Sequence, residues 1–226
     1  MAAVIIPAWN EAPRVAGVVS AALAARRASR VVVADDGSTD GTAEEAEAAG
    51  AEVLRLPHRG KGAAVAAAAA QAEDPVLVLL DADLGSLRPE HVDALAAPVE
   101  DGEADMTLGL LPAHWLNPRG VQLWQSGQRG VWAEDVRSLR AEGYGLEIEL
   151  TGRVQGRGGR IAQVELDGVT IPNKYQKWGL ATGLLAGARM RVDQVQAAAS
   201  TFGAPLLLLL GGAGAGLLLG YVWGES

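Results

Sequence analysis

Two aspartates one residue apart, Asp81 and Asp83, close the apolar run Pro75-Val76-Leu77-Val78-Leu79-Leu80. Carboxylates are hard oxygen ligands. Such a pair can hold Mg²⁺ or Mn²⁺, one acid directly and the other through water or a sugar hydroxyl, and the cation would in turn neutralise a diphosphate. The run does not alternate, which suits a strand covered on both faces. The carboxyl end of such a strand is where open α/β sheets place ligands. Asp-x-Asp is also what an ordinary surface turn or helix cap looks like, so the preceding chain has to decide.

Three earlier stretches bear on it. Pro7-Ala8-Trp9-Asn10-Glu11-Ala12-Pro13 follows the apolar Val4-Ile5-Ile6, and its prolines and Asn10 turn a strand into a loop. Asp35-Asp36-Gly37-Ser38-Thr39-Asp40-Gly41-Thr42 offers acceptor carboxylates before a glycine turn. There Asp36 is the residue suited to a nucleotide, while Ser38, Thr39 and Asp40 suit a capped turn. In His58-Arg59-Gly60-Lys61-Gly62 a glycine-flanked lysine opens an alanine-rich helix, where it can meet a diphosphate. The spacing is not that of a P-loop, and no Gly-x-Gly-x-x-Gly follows the first strand, which counts against a dinucleotide oxidoreductase. A nucleotidyltransferase would open with a glycine-rich loop where this chain has Pro7-Ala8-Trp9-Asn10-Glu11.

The elements that must position these residues read in alternation. Strands are expected at 4–6, 31–34, 51–56 and 75–80, with helices at 14–25, 42–49, 61–72 and 88–99 and a further strand at 104–109. Strand, helix, strand within about thirty residues is a right-handed βαβ unit and predicts a parallel sheet.

Taken together, Pro7-Ala8-Trp9-Asn10-Glu11, Asp35-Asp36-Gly37-Ser38 with Asp40 and Thr42, Gly60-Lys61-Gly62 and Asp81-Ala82-Asp83 resemble the nucleotide-sugar half of GT-A glycosyltransferases of the family-2 type, in order and in spacing. The resemblance implies a Rossmann-like three-layer α/β sandwich with a mostly parallel sheet. It implies that Pro7, Ala8, Trp9, Glu11, Asp36, Lys61, Asp81 and Ala82 line the nucleotide-sugar pocket. It makes Asp83 the direct metal ligand, with Asp81 supporting the ribose or the metal. The family usually carries Tyr at the position of Trp9, which preserves an aromatic wall, and Asn at that of His58.

Ser126-Gly127-Gln128-Arg129 is expected to introduce a helix reaching Leu139. From there to Leu150 the chain is similar to polyprenyl-phosphate sugar transferases and to glucosyl-phosphoglycerate-synthase-like enzymes. Glu147 matches the acid of the second pattern and Glu149 that of the first; one is expected to orient acceptor or sugar and the other to be a solvated charge. With Asp83 and Lys61, Glu147 completes the expected catalytic set. Gln128, Arg129, Glu149 and Lys174 are the acceptor-side candidates. Glu134-Asp135 imitates the base of some inverting relatives but reads better as a first-turn charge. Enzymes resembling the phosphoglycerate type tend to carry a histidine metal ligand where Ile171 falls, so water, substrate or Asn173 is expected to complete the shell. Trp115 and Trp124 suit either an acceptor or ordinary packing.

Of 226 residues, 49% are hydrophobic, much of that alanine, and the net charge is −8. That balance argues against nucleic acid, which requires concentrated Lys and Arg. With no cysteine, disulfides, thiolate metal sites and cysteine nucleophiles are excluded. Met1 leads into Val4 with no basic or long apolar segment, so a cleaved signal peptide is not expected. From Gln194 to Gly224 there is no charge, and 205–223 is apolar apart from the Tyr221 hydroxyl, a length of about 20 residues that can cross a bilayer or pack as a glycine-rich helix. Arg189 and Arg191 are the nearest cations before it and favour a cytoplasmic amino-terminal side, and with Lys174 and Lys177 they form a basic cluster suited to an anionic acceptor, a donor diphosphate or anionic lipid headgroups.

The expectation is thus a GT-A domain over 1–195 and a hydrophobic segment over 204–223. It transfers sugar from a nucleotide-diphosphate donor, with Mg²⁺ or Mn²⁺, to a membrane lipid or polyprenyl phosphate. The rivals are a small anionic acceptor such as phosphoglycerate, or a degenerate nucleotide-sugar-binding protein. The domain is expected on the cytoplasmic side of a membrane, or in the cytoplasm if the segment packs on it. Homodimerisation stays open.

Overall fold

The computed structural model describes residues 1–112, 122, 124–139 and 145–172. The first half alternates as expected. β1 (Ala2–Ala8), β2 (Ala28–Asp35), β3 (Glu52–Arg55) and β4 (Val76–Leu79) are separated by α1 (Ala12–Leu23), α2 (Thr42–Ala48) and α3 (Lys61–Gln71). Then come α4 (Pro89–Glu100), β5 (Met106–Leu110), β6 (Arg129–Trp132), α5 (Ala133–Arg137), α6 (Leu146–Gly156) and β7 (Ile161–Glu165).

The strands form one sheet in the order β3-β2-β1-β4-β6-β5-β7. Four of its six pairings are parallel, and both antiparallel ones involve β6. The sheet is therefore mostly parallel, as expected. β1 is flanked by β2 on one side and β4 on the other, so the strand order reverses there. A crevice opens at such a switch point, beyond the carboxyl ends of the strands.

Alternation along each strand builds a core on both faces. Val4, Ile6, Val31, Val33, Val76 and Val78 meet α1 and α4 through Val15, Val18, Val19, Val92 and Leu95. Ile5, Val32, Leu77 and Leu79 point the other way, onto Ala64, Val65 and Ala68 of α3 and Leu146, Leu150 and Val154 of α6. Alanine along α3 lets that helix lie close to the sheet.

Two expectations are corrected. Pro7 does not end β1, which runs to Ala8. The Ile5 carbonyl accepts the Leu80 amide at 3.1 Å, and pairing with β4 stops there, so the missing N–H of Pro7 falls where no partner strand requires it. The single helix expected from Ser126 to Leu139 is instead β6 followed by the short α5. Val131 and Trp132 suit a pleated surface, and Gly130 lets α4 approach: a Cβ there would stand 2.0 Å from the Leu95 carbonyl oxygen.

Among the described residues no helix is long and apolar enough to cross a membrane. The segment 204–223 and the boundary at 195 lie outside the described residues, as do Trp115, Asn173, Lys174, Lys177, Arg189 and Arg191.

Candidate active site

Three strands deliver the motifs to one end of the sheet. β1 leads to Trp9–Glu11, β2 to Asp35 and Asp36, and β4 to Asp81–Asp83, while the first turn of α3 carries Lys61. The loops after β1 and β2 hold each other. The Asn10 amide donates to Ser38 Oγ at 2.9 Å, the Thr39 amide to Asn10 Oδ1 at 2.9 Å, and the Glu11 amide to Thr42 Oγ1 at 2.8 Å. Asp40 accepts from the Thr42 hydroxyl at 2.5 Å and from the Ala12 amide at 3.2 Å. Ser38, Thr39 and Asp40 therefore fix the turn before α2 and tie it to the loop after β1.

Asp36 is buried, and its carboxylate accepts the Arg59 amide at 2.8 Å and the Gly60 amide at 2.9 Å. It thereby fixes the entry to α3 and the direction in which Lys61 leaves it. Gly60 has φ +96°, a conformation that side chains disfavour, which explains the glycine before the lysine. Trp9 is 41% exposed and stacks on His58 with ring centroids 4.7 Å apart, so the two rings form one aromatic surface. Pro7 is half-buried and Ala8 and Glu11 are buried; Glu11 Oε2 faces Arg14 Nη1 at 3.4 Å.

At the centre, Lys61 Nζ donates to Asp81 Oδ1 and to Glu147 Oε1, both at 2.6 Å. Burial pulls the Lys61 ammonium towards neutrality, but the two carboxylates outweigh it and hold the group charged, above its ordinary range. Gln128 Nε2 donates to Asp81 Oδ2 at 2.7 Å. Asp83 faces an open cleft of about 530 Å³ between Pro13 and Arg14 of α1, the 84–87 segment and 170–172. Burial and then the Asp81 charge push the Asp83 carboxyl up to about 6, against the pull of Lys61 and Arg14. Paired amides and carbonyls of Gly85 and Thr170 close one wall, and Ile171, 46% exposed, sits on the lip and offers no ligand atom.

The remaining candidates separate. Glu147 is 5% exposed and belongs to the Lys61 cluster, whereas Glu149 on the same helix pairs with Arg153. Arg129 is wholly enclosed. Its guanidinium donates to the Ser126 carbonyl at 2.7 Å and to Thr151 Oγ1 at 2.8 Å, and burial pushes it down to about 10 although Glu147 and Asp81 pull it up. It sits beneath the site and does not line the cleft. Asp135 is indeed in the first turn of α5, but it is buried against Arg157, a pairing the sequence reading did not anticipate. Trp124 packs in the interior. Arg14 was missed as a site residue because its place in an amphipathic helix gives no local signal.

The site suits a divalent cation. Asp83 supplies a carboxylate facing the cleft in a field that favours added positive charge, while Asp81 and Glu147 share the Lys61 ammonium beside it. Among the described residues no three acidic or histidine side chains converge as a ready cage. A Mg²⁺-type ion characteristically uses one or two carboxylates, with substrate phosphates and water supplying the rest.

Comparison with known proteins agrees with the geometry. An uncharacterized glycosyltransferase of Mycobacterium tuberculosis is 35% identical over 116 residues, 50% of this chain and 51% of that protein. The chain thus spans about half the length of that curated relative. A polyprenol monophosphomannose synthase of Mycolicibacterium smegmatis is 28% identical across 83% of this chain and 82% of its own. The glucosyl-3-phosphoglycerate synthase of Mycobacterium tuberculosis, solved with Mn²⁺, uridine diphosphate and glucosyl-3-phosphoglycerate, superposes with a TM-score of 0.75 at 27% identity, covering 91% of this chain and 81% of that one. The model of glycosyl transferase family 2 matches residues 3–127, which is more than half of the sequence and includes every motif from Pro7 to Asp83. The chain belongs to glycosyl transferase family 2.

Proposed function

We propose that this chain transfers a sugar from a nucleotide-diphosphate sugar to an acceptor in a metal-dependent reaction. The observation that carries the reading is the Asp81–Lys61–Glu147 cluster set beside Asp83 at the switch point of the sheet. Mg²⁺ or Mn²⁺ bound at Asp83 would supply Lewis-acid stabilisation of the departing diphosphate. Lys61, held charged, adds a fixed positive charge where negative charge develops. Asp36 sets the α3 entry, Trp9 with His58 offers a stacking surface for the base, and Glu147 orients the sugar or the acceptor through its place in the cluster.

The acceptor we favour is a membrane lipid or polyprenyl phosphate, with the domain on the cytoplasmic face. Its support is the likeness to the polyprenol monophosphomannose synthase and the basic residues and apolar run after residue 173. A phosphate acceptor is already a nucleophile and requires no protein base. A small anionic acceptor such as phosphoglycerate is the second reading, favoured by the structural likeness to the glucosyl-3-phosphoglycerate synthase and by Glu147.

The test is nucleotide release from a panel of UDP-, GDP- and dTDP-sugars with Mn²⁺ or Mg²⁺, beside Asp83→Ala, with polyprenyl phosphate and 3-phosphoglycerate as separate acceptor arms. Release lost in Asp83→Ala supports transfer, and the productive arm names the acceptor. Donor binding without release under any condition overturns it in favour of a degenerate binding protein.

A further inference from the structure

Asp81 and Asp83 are chemically identical and two residues apart, yet the fold treats them differently. Asp83 faces the cleft. Asp81 is clamped: Lys61 Nζ donates to Oδ1 at 2.6 Å and Gln128 Nε2 donates to Oδ2 at 2.7 Å. Its third side rests on the bare α-carbon of Gly127, where a Cβ would stand 2.5 Å from Oδ2, 2.6 Å from Oδ1 and 2.8 Å from Cγ. Any side chain at residue 127 would push the carboxylate out of place.

Gln128 is itself immobilised. It is 2% exposed, and its main-chain carbonyl accepts the Gly109 amide at 2.8 Å. Ser126 Oγ lies 3.1 Å from its Oε1. With the amide oxygen turned to Ser126, the amide nitrogen is aimed at Asp81. Outer partners of this kind fix the orientation of groups around a metal and set which of them can reach it.

We propose that Gln128 is a positioning residue for sugar transfer: with Gly127 it locks Asp81 against Lys61, holds it out of direct metal ligation, and leaves Asp83 as the ligating member of the pair. Asp81 then serves as a fixed acceptor for a sugar or ribose hydroxyl. This rests on the transferase reading and divides the labour within it.

The experiment uses the full chain with Mn²⁺ alone and Mn²⁺ with UDP as probes, followed by electron paramagnetic resonance, alongside steady-state turnover. Gln128→Leu and Gln128→Met remove the donor without adding charge. Freed from the clamp, Asp81 can turn to the metal and add a second carboxylate ligand, so Mn²⁺ binding should tighten, against the roughly tenfold to hundredfold weakening usual when an outer partner is lost, while kcat falls about tenfold to a hundredfold. Simple structural damage would weaken both. Unchanged or weaker Mn²⁺ binding in a folded variant overturns the proposal; if one variant fails to fold, the other decides. Absent donor turnover in the unsubstituted protein would defeat the transferase reading separately, and the Mn²⁺ titration would still decide whether Gln128 controls Asp81.

Discussion

Lys61 Nζ lies 2.6 Å from Glu147 Oε1, joining the first turn of α3 to the first turn of α6 across 86 positions of sequence. The contact makes the amino-terminal half that carries the Asp36, Lys61 and Asp81 motifs and the following segment one electrostatic unit.

Lys61→Met and Glu147→Gln will therefore not act independently. Removing the lysine leaves Asp81 and Glu147 facing each other without their shared cation, and should cost about 1–3 kcal/mol of stability after allowing for partial solvent access. A double-mutant cycle read by denaturant unfolding should show coupling of about 0.5–3 kcal/mol. Additive costs would break the link.

Asp83 carries a sign that can be measured without substrate. Its carboxyl holds a proton up to about 6, above the ordinary value of 3.8. The stability this contributes is complete below about pH 4 and is lost as pH rises through about 6. In metal-free buffer above pH 6, Asp83→Asn should therefore be more stable than the unsubstituted chain by about 1–2 kcal/mol. Turnover should fall by at least about a hundredfold in the same variant. A variant stabilised yet inactive is the expected result.

Metal binding must displace that same proton. Mn²⁺ affinity should weaken by about tenfold per pH unit below about 6 and level off above it, as titration calorimetry would show. Chelation should abolish turnover and re-addition of Mn²⁺ restore it.

Asp135 separates stability from chemistry. Its carboxylate is buried and pairs with both terminal nitrogens of Arg157, away from the Lys61 cluster. Asp135→Asn should lower stability by about 1–3 kcal/mol in thermal melts. Donor turnover per folded molecule should be unchanged; a large loss would return Asp135 to the list of candidate bases.

Trp9 offers its face beside the loop that Asp36 anchors. Trp9→Ala should weaken donor binding by about 1–3 kcal/mol, the range for base stacking on an aromatic ring. Trp9→Phe should recover most of it, with KM moving more than kcat.

Much of this protein is legible in one dimension. The apolar runs at 4–6, 31–34 and 75–80 and the helices between them dictate a parallel βαβ core, because strand and helix periods are local properties of the chain. The motifs ending those strands are local too, so the sequence alone puts Asp36, Lys61, Asp81 and Asp83 at one end of the sheet. What only the tertiary structure decided is which partner each group meets. Arg129–Trp132 becomes a strand because β4 and β5 flank it, an environment that a four-residue segment cannot announce. Arg129, a plausible acceptor contact by type, is enclosed; Glu147 and not Glu149 reaches Lys61; and Gln128 aims its amide at Asp81. A buried charge or amide takes its role from neighbours brought close by folding, and those distances are not written in the spacing of residues along the chain.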